Sequence, residues 1–230
     1  MPLHRQSYKR RPLPKPNPDR AFALKTHYKD LDPSDFNAIV KAFALRIKSW
    51  YFLQAKEIKD KIPYQGFVIT QITCTLIDVI SQFTYNLQES DGRYYKKFLT
   101  RYIPEFRERI RPPIVSYTYL KARKRWERVE LDDFADAFWH GFRCGVVHSA
   151  MILDYGRISD EAIVGTGRVI SLRQWGNGER EVAVNPFALI ARLESIFESY
   201  IQDLLNPNRR QLRRNFARKF LRSFGVKVNP

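Results

Sequence analysis

The chain has few of the residues that build disulfide frameworks and metal sites. Only two cysteines and four histidines occur among its 230 residues. Cys74 and Cys144 each lie within an apolar helical pattern, so neither a disulfide framework nor a zinc site is indicated, and we expect both to pack as small hydrophobic residues. The histidines are scattered at positions 4, 27, 140 and 148, and no carboxylate cluster has ligand-like spacing along the chain. We therefore expect neither a metal ion nor a cofactor.

Long apolar runs are also missing from the sequence. No apolar run follows the basic N-terminus, and no stretch approaches the length of a membrane span. We therefore expect a cytoplasmic protein with no membrane span. Hydrophobic residues make up 44% of the chain, which is enough to build one sizeable core, and the length favours a single domain.

Acidic residues are in short supply relative to basic ones. The chain has 40 Lys and Arg against 24 Asp and Glu, a formal net charge of +16. The excess is concentrated in three segments, 1–20, 93–128 and 207–230. A charge of this size points to a polyanionic partner, and nucleic acid, RNA above all, is the leading candidate. For any single segment, the alternative interpretation is a solvated helix face or a flexible tail.

Hydrophobic periodicity predicts a mainly α protein, an antiparallel helical bundle with a small β-hairpin insertion. Residues 1–20, with prolines at alternating positions, are expected to be a disordered basic arm, and residues 21–230 a single helical domain. The hairpin is expected near 167–184, because two strand-like runs flank a glycine-containing turn. Helices are expected near 32–61, 69–87, 94–99, 131–153, 186–204 and 209–224.

Two basic clusters are candidate RNA-binding sites. In the first, Tyr117, Tyr119 and Trp126 are interleaved with cations, which suits nucleic acid because rings stack on bases and cations hold the backbone. The alternative, which is favoured for the tyrosines, is that these aromatic residues belong to the core and the cations to its solvated flank. The second cluster lies on the last helix. The residues that we predict to bind RNA are Lys121, Arg123, Lys124, Arg125, Arg210, Arg213 and Arg214.

Arg143 and His148 are the candidate catalytic residues. They are separated by four residues in the run Phe142-Arg-Cys-Gly-Val-Val-His-Ser149, inside an apolar helical pattern where neither has an obvious packing role. Histidine can give or take a proton near neutral pH, and arginine offers a permanent planar charge that matches phosphate oxygens. The pair therefore indicates phosphate chemistry.

This spacing resembles the R-x4-6-H signature of the HEPN superfamily. Gly145 followed by two apolar residues and His148 is similar to the R-x-G-φ-φ-H form of one bacterial branch, and the looser resemblance extends from about Phe36 to Phe224. It implies an all-helical, dimeric protein that cleaves RNA without metal, in a defence or toxin–antitoxin setting with a neutralising antitoxin protein as a partner. In that mechanism the RNA 2′-OH attacks the adjacent phosphate, His148 acts as general base or acid, and Arg143 stabilises charge on the phosphoryl oxygens.

The position of the pair on a helix bears on how it could act. A regular helix beginning near Leu131 places Arg143 and His148 on opposite sides of its apolar stripe, so a shared phosphate would sit across a kink at Gly145 or between two subunits. Asp136 is a candidate to orient Arg143, with simple solvent exposure as the alternative. The small residues that would let a second helix approach, and that we predict to form a homodimer interface, are Ala137, Gly141, Cys144 and Gly145.

The sequence thus predicts a metal-independent endoribonuclease and leaves two other functions open. One is a non-catalytic RNA- or nucleotide-binding HEPN module, which is favoured by Cys144 directly after the arginine and by the lack of a second catalytic motif. The other is a basic helical scaffold that binds a protein or an acidic membrane surface.

Overall fold

The structure, a computed structural model, describes residues 13–15, 17–59, 65–120, 125–146, 151–176 and 178–230. Long helices are combined with three small sheets, so the fold is mixed α and β. The prediction of a mainly α bundle with one inserted hairpin is therefore wrong in its strand content, although its long helices are present. The described residues of the N-terminal arm are exposed, and the chain enters the core at Phe22.

The first long helix begins where the sequence predicts it. Asp35 caps helix α1 (Phe36–Ile47), and its carboxylate accepts a hydrogen bond from the backbone N–H of Ala38 at 2.9 Å. A π-helical turn (Lys48–Phe52) joins α1 to α2 (Leu53–Ile58), which ends close to the predicted boundary.

Helix α3 (Gln65–Tyr85) is the central helix of the fold and confirms the second predicted apolar stripe. Among the described residues, it is the one helix long and apolar enough to cross a membrane, although no such stretch was expected from the sequence. Its apolar residues pack inside the protein, against α4 (Gly92–Tyr102) and the two C-terminal helices. More than half of its most apolar stretch is buried. A buried core helix has the same composition, so the structure is compatible with the prediction of no membrane span.

The two C-terminal helices, α7 (Pro186–Leu205) and α8 (Arg210–Phe224), complete the aromatic core. The Asn185 side chain caps α7, which begins where the sequence predicts a helix. Four helices meet at the Phe43 ring of α1. Its centre lies 4.5 Å from the ring centre of Phe83 of α3, 5.3 Å from that of Phe216 of α8 and 6.2 Å from that of Phe197 of α7.

The strands form two hairpins and a three-stranded sheet. Strands β1 (Ala21–Ala23) and β2 (Thr26–His27) pair antiparallel, as do β3 (Arg109–Leu120) and β4 (Arg125–Asp133). The predicted hairpin exists as β6 (Ile170–Gln174) and β7 (Arg180–Val184), and β5 (Gly156–Ile158) adds to β7 in parallel. A short helix, α6 (Glu161–Val164), follows β5.

The β3–β4 hairpin was not predicted, and it changes the start of the following helix. Leu131 pairs with Ile114 across the hairpin instead of opening a helix, and Asp133 caps helix α5 (Phe134–Ala137). The ladder is irregular between Arg109 and Ile114, where Pro112 and Pro113 lack the N–H that a regular ladder uses.

Candidate functional site

The helix that carries Arg143, which we call the motif helix (134–146), contains a π-helical stretch. Helix α5 leads into the stretch Phe138–Cys144, where Arg143 is the next-to-last residue. Hydrogen bonds there run from residue i to i+5, so the side-chain directions of a regular helix do not apply. The prediction that Arg143 and His148 lie on opposite sides of the helix assumed regular α-helical geometry. His148 itself lies outside the described residues.

Arg143 is held by residues from two other parts of the chain. Its Nε and Nη2 atoms donate to Oδ2 of Asp78, on α3, at 3.1 and 2.9 Å. Nη2 also donates to the Ser90 hydroxyl at 3.0 Å, and Ser90 in turn donates to Oδ1 of Asp78 at 2.5 Å. The guanidinium is therefore fixed in orientation by a small hydrogen-bonded network just before α4.

This network lies mostly inside the protein. The Arg143 side chain is 11% exposed and that of Asp78 15% exposed, and the guanidinium carbon lies 4.7 Å from the centre of the Trp139 ring. Burial opposes the charged form of Arg143, but its hydrogen bonds and attraction to Asp78 outweigh that effect, and the pKa of Arg143 is raised. Arg143 is a permanent cation whose charge is largely compensated by Asp78.

The thiols and the tyrosine near Arg143 are poor nucleophiles. Burial raises the pKa of Cys74 to about 12, and it raises the pKa of Tyr95 well above its usual value. Burial also raises the pKa of Cys144, against the opposing effect of the neighbouring Arg143. All three groups stay protonated at neutral pH, so none supplies an anion for covalent catalysis.

Asp136 and His140 do not serve Arg143. Asp136 forms an ion pair with Lys96 of α4 and is partly buried, so it neither orients Arg143 nor is simply exposed, the two alternatives that the sequence left open. His140 is partly buried. Burial lowers the pKa of His140, against the attraction of Asp136, so its ring is neutral at pH 7.

Asp78 and Ser90, the two residues that hold Arg143, were not among the predicted site residues. One signal was present, because Asp78 interrupts the apolar run of α3 between Ile77 and Val79, and a carboxylate within such a run calls for a cationic partner. Nothing in the local sequence of Ser90 marks it, since its contact depends on the loop between α3 and α4.

The small residues of the motif helix are covered by the same chain. The ring of Tyr155 packs on Gly141, where an added Cβ would lie 2.8 Å from its hydroxyl oxygen, and that hydroxyl donates to the Ala137 carbonyl at 3.2 Å. A Cβ at Gly145 would lie 2.5 Å from the carbonyl oxygen of Met151. The close approach attributed to a second subunit is thus made within the chain. Ala137 and Gly141 are buried, and Cys144 is partly buried beside Arg143. The homodimer therefore stays a prediction, and these small residues do not support it.

Replacing Gly141 with leucine should destabilise the fold. We expect a loss of roughly 1–3 kcal/mol in the free energy of unfolding, although leucine is the better helix former, because the side chain would force Tyr155 off the helix. Urea unfolding measures this loss. The matched control is Gly176→Leu, at an exposed turn position with no atom near an added Cβ, and equal stability of the two variants would contradict the packing account.

The basic residues of α8 are divided between solvent and internal contacts. Arg210 and Arg214 are exposed, as an RNA-binding role requires. Arg213 donates to the Leu204 carbonyl at 2.8 Å, and its guanidinium carbon lies 4.0 Å from the centre of the Phe36 ring. Arg213 therefore holds α8 against α7 and α1.

The other predicted RNA-binding residues belong to the stretch of sequence from the end of β3 to the start of β4. Lys121, Arg123 and Lys124 fall between the two strands and outside the described residues, and the backbone of Arg125 pairs with Leu120. Tyr117 is 61% exposed, so it does not belong to the core. The sequence favoured a core position for the tyrosines of this cluster, and for Tyr117 that prediction is wrong.

Three carboxylates come together near the start of the motif helix, although their spacing along the chain suggested no cluster. Oxygens of Asp132, Asp133 and Asp136 lie within 4.8 Å of one another. Each carboxylate already has a partner: Asp132 pairs with Arg109, Asp136 pairs with Lys96, and Asp133 accepts the backbone N–H of Asp136 at 2.8 Å.

Comparison with known proteins adds no support to the resemblance to the HEPN superfamily. No protein-family model, no curated protein and no solved structure matches the chain. That resemblance depends on residues 142–149 and their setting, and membership of the superfamily stays a prediction.

Proposed function

We propose that the protein is a metal-independent endoribonuclease of HEPN type in which Arg143 and His148 act on the scissile phosphate. The observation that carries the proposal is the fixed position of Arg143: Asp78, Ser90 and Trp139 orient its guanidinium five residues before the histidine of the motif. The net charge of +16 supports RNA as the substrate. A toxin or defence role with a neutralising protein partner is part of the same proposal.

The reaction needs proton transfer and charge stabilisation, and it needs no metal. A base removes the proton of the 2′-OH, the 2′ oxygen forms a bond to phosphorus, and the bond from phosphorus to the 5′ oxygen breaks as that oxygen takes up a proton. His148 serves as the base or the acid, because its unperturbed pKa is near neutrality. Arg143 donates hydrogen bonds to the phosphoryl oxygens as their negative charge grows.

Asp78 and Ser90 are positioning residues in this proposal. They bind the Nε and Nη2 side of the guanidinium, so Arg143 need not be ordered when the substrate arrives. A lysine at position 143 has no planar fork and cannot make the same set of contacts.

A second candidate function is a non-catalytic RNA-binding module. The observation that favours it is the contact between Asp78 and Arg143, which compensates the cation and leaves 11% of its side chain exposed. In this function Arg143 stabilises the fold, and the exposed cations of α8 and of the β3–β4 hairpin bind the RNA backbone.

A cleavage assay in EDTA separates the two functions. We expect a 5′-labelled oligoribonucleotide to be cut in excess EDTA, and a strand of the same sequence with 2′-deoxy sugars to stay intact while still binding. Binding without cleavage would favour the RNA-binding module. Cleavage that stops when the chelator is added would contradict the proposed mechanism. It would indicate metal-dependent cleavage, for which the cluster of Asp132, Asp133 and Asp136 is the candidate metal site.

A further inference from the structure

The β3–β4 hairpin is firmly anchored at its base. Ile110, Ile114 and Leu131 are buried there. From β7, the Arg180 guanidinium donates to the carbonyls of Pro112 and Pro113, the second at 3.0 Å. The base of the hairpin therefore belongs to the core, and the remaining paired residues, from Val115 to Leu120 and from Arg125 to Glu130, extend from a fixed support.

Beyond this base, one face of the hairpin offers apolar and aromatic surface to solvent. Val115 is 45% and Tyr117 61% exposed, and the alternation of side chains along a strand puts both on the same face. Across the ladder Val115 pairs with Glu130 and Tyr117 with Arg128. An exposed tyrosine ring on a two-stranded support has a fixed position and loses little conformational entropy when it binds.

The sequence that follows Tyr117 is basic. From Tyr117 to Arg128, with Arg128 included, it has five Lys or Arg residues and one acid, Glu127. On the exposed face, Arg128 lies 2.8 Å from Glu130, but both side chains are more than half exposed, and such a surface ion pair is weak and readily exchanged. The face therefore combines a stacking ring with the exposed guanidinium of Arg128, the two kinds of group that bind single-stranded nucleic acid.

We propose that this face of the β3–β4 hairpin binds single-stranded RNA, with an unpaired base stacked on the ring of Tyr117 and the backbone held by Arg128. The inference rests on the RNA-binding part of the proposed function and specifies its substrate as unpaired RNA. A duplex keeps its bases stacked on one another, so it cannot offer a base face to Tyr117.

Binding to an RNA that cannot be cleaved tests this proposal separately from catalysis. The probe is a fluorescein-labelled single strand with 2′-O-methyl sugars, titrated with the full chain by fluorescence anisotropy. Stacking on an aromatic residue contributes roughly 1–3 kcal/mol per base, so Tyr117→Ala should raise Kd by about 5- to 150-fold. Tyr117→Phe keeps the ring and should stay within about twofold of the unchanged protein.

The matched control is Leu53→Ala, which removes a similarly exposed apolar side chain from α2 and should leave Kd unchanged. On a duplex of the same sequence, Tyr117→Ala should also have no effect. An unchanged Kd for Tyr117→Ala on the single strand, or an equal loss on the duplex, would overturn the proposal. If Tyr117→Ala changed the sedimentation coefficient of the protein without RNA, the face would be a contact between copies of the chain, and this too would overturn the proposal.

The two proposals fail in different ways. Loss of affinity in Tyr117→Ala, together with no cleavage of any RNA, would support the hairpin surface and remove the endoribonuclease. Cleavage in EDTA that is unaffected by Tyr117→Ala, together with unchanged binding, would support the endoribonuclease and remove the hairpin surface.

Discussion

Replacing His148 with alanine should lower the rate of RNA cleavage by about 100- to 10,000-fold, the range that one positioned acid–base group contributes. RNA affinity should stay within about twofold, because a histidine near neutral pH adds little charge to a chain of net charge +16. Single-turnover cleavage in EDTA measures the rate, and anisotropy with an uncleavable strand measures the affinity.

His140→Ala is the matched control for this experiment. His140 lies in the motif helix, and burial lowers the pKa of its ring, but its charged neighbours are Asp136 and Lys96 and not Arg143. We expect this variant to cleave RNA at close to the original rate. If His148→Ala also cleaves at that rate, the acid–base role is removed and the RNA-binding module becomes the better account.

Replacing Arg143 with alanine should destabilise the fold by roughly 3–5 kcal/mol, as well as abolish cleavage. The substitution leaves the Asp78 carboxylate, which is 15% exposed, without its cation inside the protein. Removing one partner of a buried ion pair lowers the free energy of unfolding more than removing both, because one partner alone leaves an unpaired buried charge. Removing both partners should cost clearly less than the sum of the single changes, with a coupling energy of about 0.5–3 kcal/mol. Urea unfolding of Asp78→Ala, Arg143→Ala and the double variant gives this energy.

The control for this cycle is the exposed pair of Arg209 and Asp203, whose side chains are 58% and 44% exposed at a separation of 3.0 Å. Its coupling should be below about 1 kcal/mol, because water screens surface charges. Strict additivity at Asp78 and Arg143 would show that the network does not hold the two helices together.

The long helices could be predicted from the sequence because the information for them is local. Capping by Asp35 and by Asn185, and the apolar stripes of α1, α3, α7 and α8, follow from the spacing of neighbouring residues. The β6–β7 hairpin was predicted for the same reason, since its turn lies between its strands.

The β3–β4 hairpin and the network of Arg143 could not be predicted in the same way. The prolines and charges of 109–120 gave no clean alternation, and the strand forms because β4 pairs with it and Arg180 of β7 binds its proline carbonyls. Asp78 meets Arg143 across 65 residues of chain, and Tyr155 covers Gly141 after the chain has turned back on the motif helix. Such contacts depend on tertiary packing and not on spacing.

The chemistry at the ends of the cleaved RNA tests the proposed mechanism most directly. Attack by the 2′-OH closes a ring on phosphorus, so the upstream product formed in EDTA should carry a 2′,3′-cyclic phosphate and the downstream product a 5′-hydroxyl, which mass spectrometry of an oligoribonucleotide digest identifies. A 3′-hydroxyl with a 5′-phosphate, the result of attack by water on the opposite bond, would contradict the proposed roles of Arg143 and His148.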